Sequence, residues 1–198
     1  AAPIDGFARG EAGAVSREQK LGGVLFFGRA RCADCHTATA ATGESFSDFR
    51  NHVIGVPQIA PYFGVGRSNM VYDGPDSNED FGAQQISGEN ADRYMFRTAP
   101  LRNIAVQPAF FHNGSFTTIE GAIRHHLNAV RSARRYDPRR AGIDRDLARR
   151  EMGPIEPVLE RLDPELVGGI DLAESQIDDL TRFVTTGLLD LDRKLGGL

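Results

Sequence analysis

The amino-acid sequence predicts an all-α domain with long irregular loops. Residues 16–27, 117–130 and 171–188 show the spacing of apolar residues that is typical of a helix buried on one side. No strand–helix–strand series accompanies them. Residues 58–92 are rich in Gly, Asn, Asp and Pro and show little periodicity, which predicts a long loop.

Length and composition indicate one globular domain. A chain of 198 residues fits a single domain over residues 1–198, with an N-terminal arm at 1–15 and an Arg-rich insertion at 129–168. Hydrophobic residues make up 40% of the chain and include twelve Phe, enough for a core. The net charge of −4 does not favour nucleic acid as a partner. No run approaches the roughly eighteen apolar residues that a membrane span needs.

Helices are expected near both ends of the chain. Ser16 and Gln19 form a capping pair, and Gly22 and Gly23 leave room for another helix to approach. This first helix is expected to bury Leu21, Val24 and Leu25. The last helix carries an apolar stripe of Ile177, Leu180, Val184 and Leu188. We expect the two helices to cross.

Both cysteines of the chain lie in the segment RARCADCHTA, residues 29–38. A thioredoxin-like redox pair would sit in a βαβ pattern, which is absent. A structural zinc site would need two further ligands at matching spacing, and the remaining histidines form no H-x3-5-H pair. The pattern Cys32, Cys35, His36 therefore predicts one covalently bound haem c, with His36 as an iron ligand. A disulfide is the simple alternative.

Covalent haem attachment of this type takes place outside the bacterial cytoplasm. We therefore expect an exported, periplasmic protein. The small residues of the N-terminus AAPIDGFARG are compatible with a removed signal peptide.

A second axial ligand is sought among the other histidines and the methionines: His52, His112, His125, His126, Met70, Met95 and Met152. Thr117 and Glu120 form a capping pair ahead of a predicted helix. His126 falls at the centre of the apolar face of this helix, whereas His125 points off it. The pattern favours His126 as distal ligand and predicts a solvated or hydrogen-bonded surface role for His125. A core histidine bonded to a backbone carbonyl is the alternative for His126.

Three motifs resemble the di-haem cytochrome c peroxidase and MauG family. They are LGGVLFFGRARCADCH at 21–36, FSDFRNHVIGVP at 46–57 and FRTAPLRNIAVQPAFFHNGSFTTIEGAIRHHLN at 96–128. The resemblance implies the cytochrome c-like fold of the family's C-terminal haem domain. His126 occupies the position at which the family commonly carries a Met or Tyr ligand.

The resemblance also implies roles for residues outside the haem motif. It implies a calcium site that uses the backbone carbonyls of Gln107 and Ala109, although the usual Thr and Pro are replaced. Arg97 and Arg102 match basic positions near the haem, where a guanidinium fork suits a propionate pair. Ordinary surface arginines are the alternative.

One departure from the family concerns the number of haems. The family enzymes carry two, whereas this chain has one C-x-x-C-H motif and no Trp. The chain thus resembles the C-terminal half alone: a fragment, one subunit of a split protein or a free-standing relative. The resemblance implies a second haem domain or subunit and a small redox protein donor as partners.

Three functions remain open at this point. The first is electron transfer within a peroxide-dependent, cytochrome c peroxidase or MauG-like oxidoreductase. The second is a stand-alone peroxidase that reduces hydrogen peroxide, with an open distal site and His126 as acid/base residue. His52 and His112 are further candidates for this acid/base role. The third is a non-enzymatic electron carrier or haem sensor. The nine Arg and three Asp of residues 124–150 indicate a solvated insertion or a basic patch that steers an acidic donor.

Overall fold

The computed structural model describes residues 1–39, 44–59, 61 and 79–190. Two compact units divide these residues. The first takes those within Ala1–Phe49, Ala99–Gln107 and Ile170–Leu198, and the second those within Arg50–Thr98 and Pro108–Gly169. Helices outnumber strands throughout, as predicted. Among the described helices, none combines the length and apolarity that crossing a membrane requires. The single domain with an arm at 1–15 and an insertion at 129–168 stays a prediction.

The first unit is built from helices and tight helical turns. These are the helices Pro3–Ala8, Arg17–Phe27 and Glu174–Arg182, the 3-10 turns Cys32–Asp34 and Ile104–Val106, and the π-helical turn Phe183–Gly187. The predicted capping pair is confirmed: Gln19 N–H donates to Ser16 Oγ at 3.2 Å, and Ser16 N–H donates to Gln19 Oε1 at 2.7 Å.

Helices Arg17–Phe27 and Glu174–Arg182 approach each other at Gly22, as predicted. A Cβ atom at Gly22 would lie only 2.1 Å from the Asp179 carbonyl oxygen, so any side chain there would hold the two backbones apart. The prediction that Leu21 and Val24 are buried is wrong, because they are 43% and 72% exposed. Close contact through Gly22 turns the helix so that its buried side chains are Leu25 and Phe26. The predicted stripe of the last helix is buried in full: Ile177, Leu180, Val184 and Leu188.

The second unit combines short helices with a minimal strand pair. Its helices are Gln84–Ser87, Ile119–Leu127, Ala129–Arg134, Glu156–Leu159 and Pro164–Val167, with a 3-10 turn at Asn90–Asp92. Strands Asn51–His52 and Phe96–Arg97 pair antiparallel, with His52 opposite Phe96. One buried cluster contains Val53, Phe81, Tyr94 and Val158. Within the predicted loop 58–92, residues 60 and 62–78 lie outside the described residues.

The helix predicted over residues 117–130 is in fact two helices. Helix Ile119–Leu127 begins one residue later than the Thr117 cap implied, because Thr118 Oγ1 accepts the Gly121 N–H at 3.1 Å. Thr117 instead donates its hydroxyl to the Ala141 carbonyl. Asn128 ends this helix and caps Ala129–Arg134 by accepting the Arg131 N–H at 3.1 Å.

Candidate haem site

The two thiols and His36 lie on one tight turn of the first unit. Cys32–Asp34 form a single 3-10 turn, and the His36 N–H donates to the Cys32 carbonyl at 2.9 Å. Arg31, just before the turn, has a left-handed φ of 57°. Local hydrogen bonding therefore holds the C-x-x-C-H residues together.

The Cys32 thiol lacks the properties of a redox-active cysteine. Cys32 and Cys35 are both thiols rather than a disulfide. The Cys32 thiol donates weakly to the Ala30 carbonyl at 3.6 Å, and burial raises its pKa to about 12. Thiol–disulfide catalysis requires the opposite shift, a pKa lowered toward neutrality. The environment of Cys32 therefore argues against the thioredoxin-like alternative.

His36 is held in a defined tautomer by the Phe46 carbonyl. The His36 Nδ1–H donates to this oxygen at 3.0 Å. Because a carbonyl only accepts, Nδ1 carries the proton and Nε2 carries the lone pair that can bind a metal. Iron-ligating histidines are commonly oriented by such a second hydrogen bond.

The Phe46 carbonyl is positioned by backbone hydrogen bonds between the residues that follow it and the haem motif. The Ser47 N–H donates to the Thr37 carbonyl at 3.0 Å, and the Asp48 N–H donates to the Cys35 carbonyl at 2.8 Å. Phe46 itself has a φ of 59°, a left-handed conformation that is unfavourable for a bulky residue. Backbone strain of this kind concentrates at functional sites.

The surroundings of His36 are aromatic. Phe26, Phe46 and Phe183 are each 2% exposed or less. Phe26 contacts Phe46 and Phe183 with ring centroids 5.9 and 5.2 Å apart, and the His36 ring lies 6.5 Å from Phe26. Two thiols, a histidine with an available tautomer and an apolar wall are the donor set and the environment that a covalent haem requires. These residues fit the group that the motif predicts.

His125 is a core residue, and the prediction that it lies at the surface is wrong. The residue is 0% exposed. Its Nε2–H donates to the Ile54 carbonyl at 2.8 Å, and its Nδ1 accepts from the Ser132 hydroxyl at 3.0 Å. Burial, together with neighbouring His126, lowers the pKa of His125 to about 3. Both ring nitrogens are thus engaged within the second unit.

The Nδ1 atom of His126, like that of His36, bonds to a backbone carbonyl. Its Nδ1–H donates to the Ala122 carbonyl one turn earlier at 2.8 Å, which leaves the lone pair on Nε2. The ring stacks on Phe111 with centroids 5.4 Å apart. Burial lowers the pKa of His126, so the ring is neutral at pH 7 and suited to metal ligation.

Two further histidines of the second unit pair with carboxylates. The His52 Nδ1–H donates to Asp163 Oδ2 at 2.5 Å. His112 stacks on Phe96 with centroids 3.4 Å apart and lies 3.6 Å from Asp80. Burial lowers the pKa of His112 to about 4, so its contact with Asp80 is not an ion pair at neutral pH. The His52–Asp163 pair was not found from the sequence, because 111 positions separate the two residues.

Two of the three candidate methionines are described by the structure, and both belong to the second unit. Met95 packs against the apolar cluster of the second unit. Met152 is partly buried on a segment without regular structure. Met70 lies outside the described residues.

The predicted basic residues are engaged in different ways. Arg102 binds Asp5 with both terminal nitrogens, at 2.6 and 3.1 Å, and its Nε donates to the Glu44 carbonyl at 2.7 Å. Although partial burial acts to raise it, Arg102 holds the pKa of Asp5 below its usual value. Arg97 is exposed on strand Phe96–Arg97, opposite Asn51. Propionate binding by Arg97 and Arg102 stays a prediction.

The other predicted site residues belong to different parts of the chain. Gln107 and Ala109 are exposed loop residues, and a calcium site at their carbonyls stays a prediction. Cys32, Cys35, His36 and Arg102 belong to the first unit, whereas Arg97, Ala109 and His126 belong to the second. Each unit thus holds one of the two predicted iron ligands.

Comparison with known proteins identifies the relatives of this chain. The cytochrome-c peroxidase IdrP2 of Pseudomonas sp. (strain SCT) is 32% identical over 136 residues, which cover 62% of this chain and 34% of the relative. The methylamine utilization protein MauG of Methylorubrum extorquens is 27% identical over 128 residues, 64% of this chain and 30% of MauG. The aligned region thus spans about a third of the length of these relatives. No protein-family profile matches the chain.

Solved structures agree with the sequence relatives. A MauG-like protein associated with microbial copper homeostasis superposes with a TM-score of 0.65 and 25% identity, covering 96% of this chain and 48% of that protein. The diheme peroxidase BthA of Burkholderia thailandensis has the same fold, with a TM-score of 0.61, 21% identity and 46% of its length covered. The chain therefore shares its fold with a MauG-like protein and with a diheme peroxidase. The chain is a relative of the di-haem cytochrome c peroxidases and of MauG, as its motifs predicted.

Proposed function

We propose that this chain is a cytochrome c-like haem domain that transfers electrons within a cytochrome c peroxidase or MauG-like oxidoreductase. In this proposal Cys32 and Cys35 attach one haem c, His36 is the proximal iron ligand and His126 is the distal ligand. Covalent haem attachment implies an exported, periplasmic protein.

The observation that carries the proposal is the tautomer shared by His36 and His126. Each donates Nδ1–H to a backbone carbonyl, Phe46 in one case and Ala122 in the other. Both therefore carry the lone pair on Nε2, the nitrogen that can bind iron. His125 would have to give up its bond to Ile54 or to Ser132.

The helix around His126 offers further support. Ile119, Ala122 and Ile123 precede it on the same face and are only partly buried. Covering such apolar groups is favourable by about 25 cal/mol per Å². A haem ring placed against this face would gain that stabilisation.

Electron transfer follows from the chemistry of the donor set. A bound haem would supply one-electron redox chemistry, and two imidazole ligands leave no open iron position for a substrate. The buried rings of Phe26, Phe46 and Phe183 form an apolar cluster beside His36, and the Phe46 carbonyl fixes the His36 ring. Because the relatives with this fold include diheme peroxidases, whereas this chain has one C-x-x-C-H motif, we infer a second haem domain or subunit as electron acceptor.

The optical and low-temperature EPR spectra of the oxidised protein test the proposal. We expect a low-spin ferric spectrum without the methionine–iron charge-transfer band. A colourless protein would contradict haem binding altogether. A high-spin spectrum would contradict closed ligation and would favour the alternative function, reduction of hydrogen peroxide by this chain itself.

The covalent bonds are tested separately. Haem should stay with the polypeptide after extraction with acidified ketone. It should become extractable from the double variant Cys32→Ser and Cys35→Ser, since neither thioether can then form. Full retention of haem in that variant would rule out attachment through this motif.

A further inference from the structure

Residues 131–150, here named the arginine segment, carry a charge opposite to that of the whole protein. The segment contains eight Arg and three Asp and therefore has a net charge of +5. The whole chain has a net charge of −4, so the other 178 residues together carry −9. Such separation of charge produces a local positive potential on an acidic protein.

The guanidinium groups of this segment face solvent and are largely uncompensated. All eight arginines are exposed. Arg134 pairs with Glu156 at 2.8 Å, and Arg140 lies 3.7 Å from Asp137. The arginines that make no ion pair with any described residue are Arg131, Arg135, Arg139, Arg145 and Arg149. Like charges repel within a Debye length of about 8–10 Å, so this clustering does not serve the stability of the fold.

Specific contacts hold the segment on the second unit. Ala129 and Ala133 are buried, which seats helix Ala129–Arg134. The Tyr136 hydroxyl donates to the Ser115 carbonyl at 2.5 Å. The Thr117 hydroxyl donates to the Ala141 carbonyl at 2.7 Å. An exposed charged surface on a fixed scaffold needs little ordering when a partner binds, which favours recognition.

The same contacts connect the arginine segment to the element that carries His126. Ser115 and Thr117 form the approach to helix Ile119–Leu127, on which His126 lies. Helix Ala129–Arg134 follows directly at Asn128. Hydrogen bonds therefore join the arginine segment to the chain just before the predicted ligand helix, and the polypeptide itself joins the segment to the end of that helix.

We propose that the arginine segment is the docking surface for the acidic face of a small redox protein that exchanges electrons with this domain. The proposal rests on the proposed function and adds the partner's charge and the place where it binds. Guanidinium groups bind carboxylates in a two-pronged geometry that Lys cannot reproduce. A positive surface also steers an acidic protein during diffusion, which raises the association rate.

Binding to a probe of known charge tests the docking surface. The probe is flavodoxin, a small acidic flavoprotein, immobilised on a sensor surface. The test variant combines Arg135→Glu, Arg139→Glu and Arg145→Glu. The control variant places the same charge change on exposed residues of the first unit, as Arg9→Glu, Arg17→Glu and Arg182→Glu. Circular dichroism verifies that both variants fold.

We expect the wild type to bind more weakly as salt rises. At low salt the test variant should lose roughly tenfold or more in association rate, and the control variant only about twofold. Equal losses in the two variants would show that net charge alone matters and would overturn the proposal. Salt-independent binding would overturn it too. So would binding of the wild type to phosphatidylglycerol vesicles together with no binding to flavodoxin.

Electron transfer is measured separately, so that the two proposals can fail independently. In stopped flow, one electron leaves the anionic flavin hydroquinone, which becomes the neutral semiquinone, and reduces the ferric haem to the ferrous form. Arginine-dependent binding without haem reduction would support the docking surface and contradict the electron-transfer function. Haem reduction at equal rates in wild type and test variant would support that function and overturn the docking surface.

Discussion

The imidazole of His125 donates its Nε2–H to the carbonyl of Ile54 at 2.8 Å. Its Nδ1 is occupied as well, as acceptor of the Ser132 hydroxyl. In the next residue, His126, Nδ1–H is the donor and the lone pair lies on Nε2. Two adjacent histidines on one helix therefore have opposite tautomers and different roles. His125 is a core residue, and His126 is the candidate iron ligand.

Replacement of His126 should change the spectrum of the haem protein. His126→Ala removes the proposed distal ligand, so the oxidised protein should convert from low-spin to high-spin. His126→Met should restore a low-spin spectrum with a methionine–iron charge-transfer band and a higher reduction potential, because a thioether favours the ferrous state. Optical and EPR spectra of the two variants provide the measurement. An unchanged spin state in His126→Ala would show that another residue binds the iron.

Replacement of His125 should affect stability and leave the ligation spectrum unchanged. His125→Ala removes a fully buried ring and leaves the Ile54 carbonyl and the Ser132 hydroxyl without this partner. We expect a loss of about 3 kcal/mol in the free energy of unfolding. Urea denaturation measures this loss. Glu120→Ala, at an exposed position of the same helix, should cost less than about 1 kcal/mol. Similar costs for the two variants would contradict a core role for His125.

Adjacent glycines of helix Arg17–Phe27 should respond differently to alanine. A methyl group at Gly22 would lie 2.1 Å from the Asp179 carbonyl oxygen, whereas at Gly23 the nearest atom, on the Phe183 ring, is 3.4 Å away. We expect Gly22→Ala to lower the free energy of unfolding by about 3 kcal/mol through separation of the two helices. Gly23→Ala should be neutral or gain up to about 1 kcal/mol of helix propensity. Thermal and urea unfolding measure the stability of both variants. A Gly22→Ala variant more stable than Gly23→Ala would contradict this helix contact.

The stability of the protein should fall as pH is lowered from neutral. Burial lowers the pKa of His112 from 6.5 in the unfolded chain to about 4. Between these values the unfolded chain binds a proton that the folded chain does not. The free energy of unfolding therefore decreases with falling pH, by up to about 1.4 kcal/mol per pH unit for this group.

The variant His112→Gln isolates this contribution. His125 titrates in the same direction, so wild type and variant should both lose stability in acid. Between pH 6.5 and 4, the slope of the free energy of unfolding against pH should be smaller in His112→Gln, by an amount that corresponds to about one proton. Above pH 7 wild type and variant should have the same slope. Urea unfolding at half-unit pH intervals measures the slopes. Parallel curves through the whole range would show that His112 titrates normally in the folded protein.

The sequence predicted correctly those features that depend on neighbours along the chain. Ser16 and Gln19 cap a helix because their groups lie three residues apart. Ile177, Leu180, Val184 and Leu188 are buried because helical spacing places them on one face. The turn that brings Cys32, Cys35 and His36 together requires only local hydrogen bonds. For this reason the haem motif and its family could be recognised without coordinates.

Only the tertiary structure decided which faces and which partners are used. Contact at Gly22 turned Leu21 and Val24 outward, although the apolar pattern alone favoured their burial. The buried ring of His125 bonds to Ile54, which is distant in the sequence, and to Ser132, which lies beyond the end of its helix. The pairs His52–Asp163 and Asp5–Arg102 join residues 111 and 97 positions apart. Packing between distant segments determines such contacts, and a local pattern of residue types does not predict them.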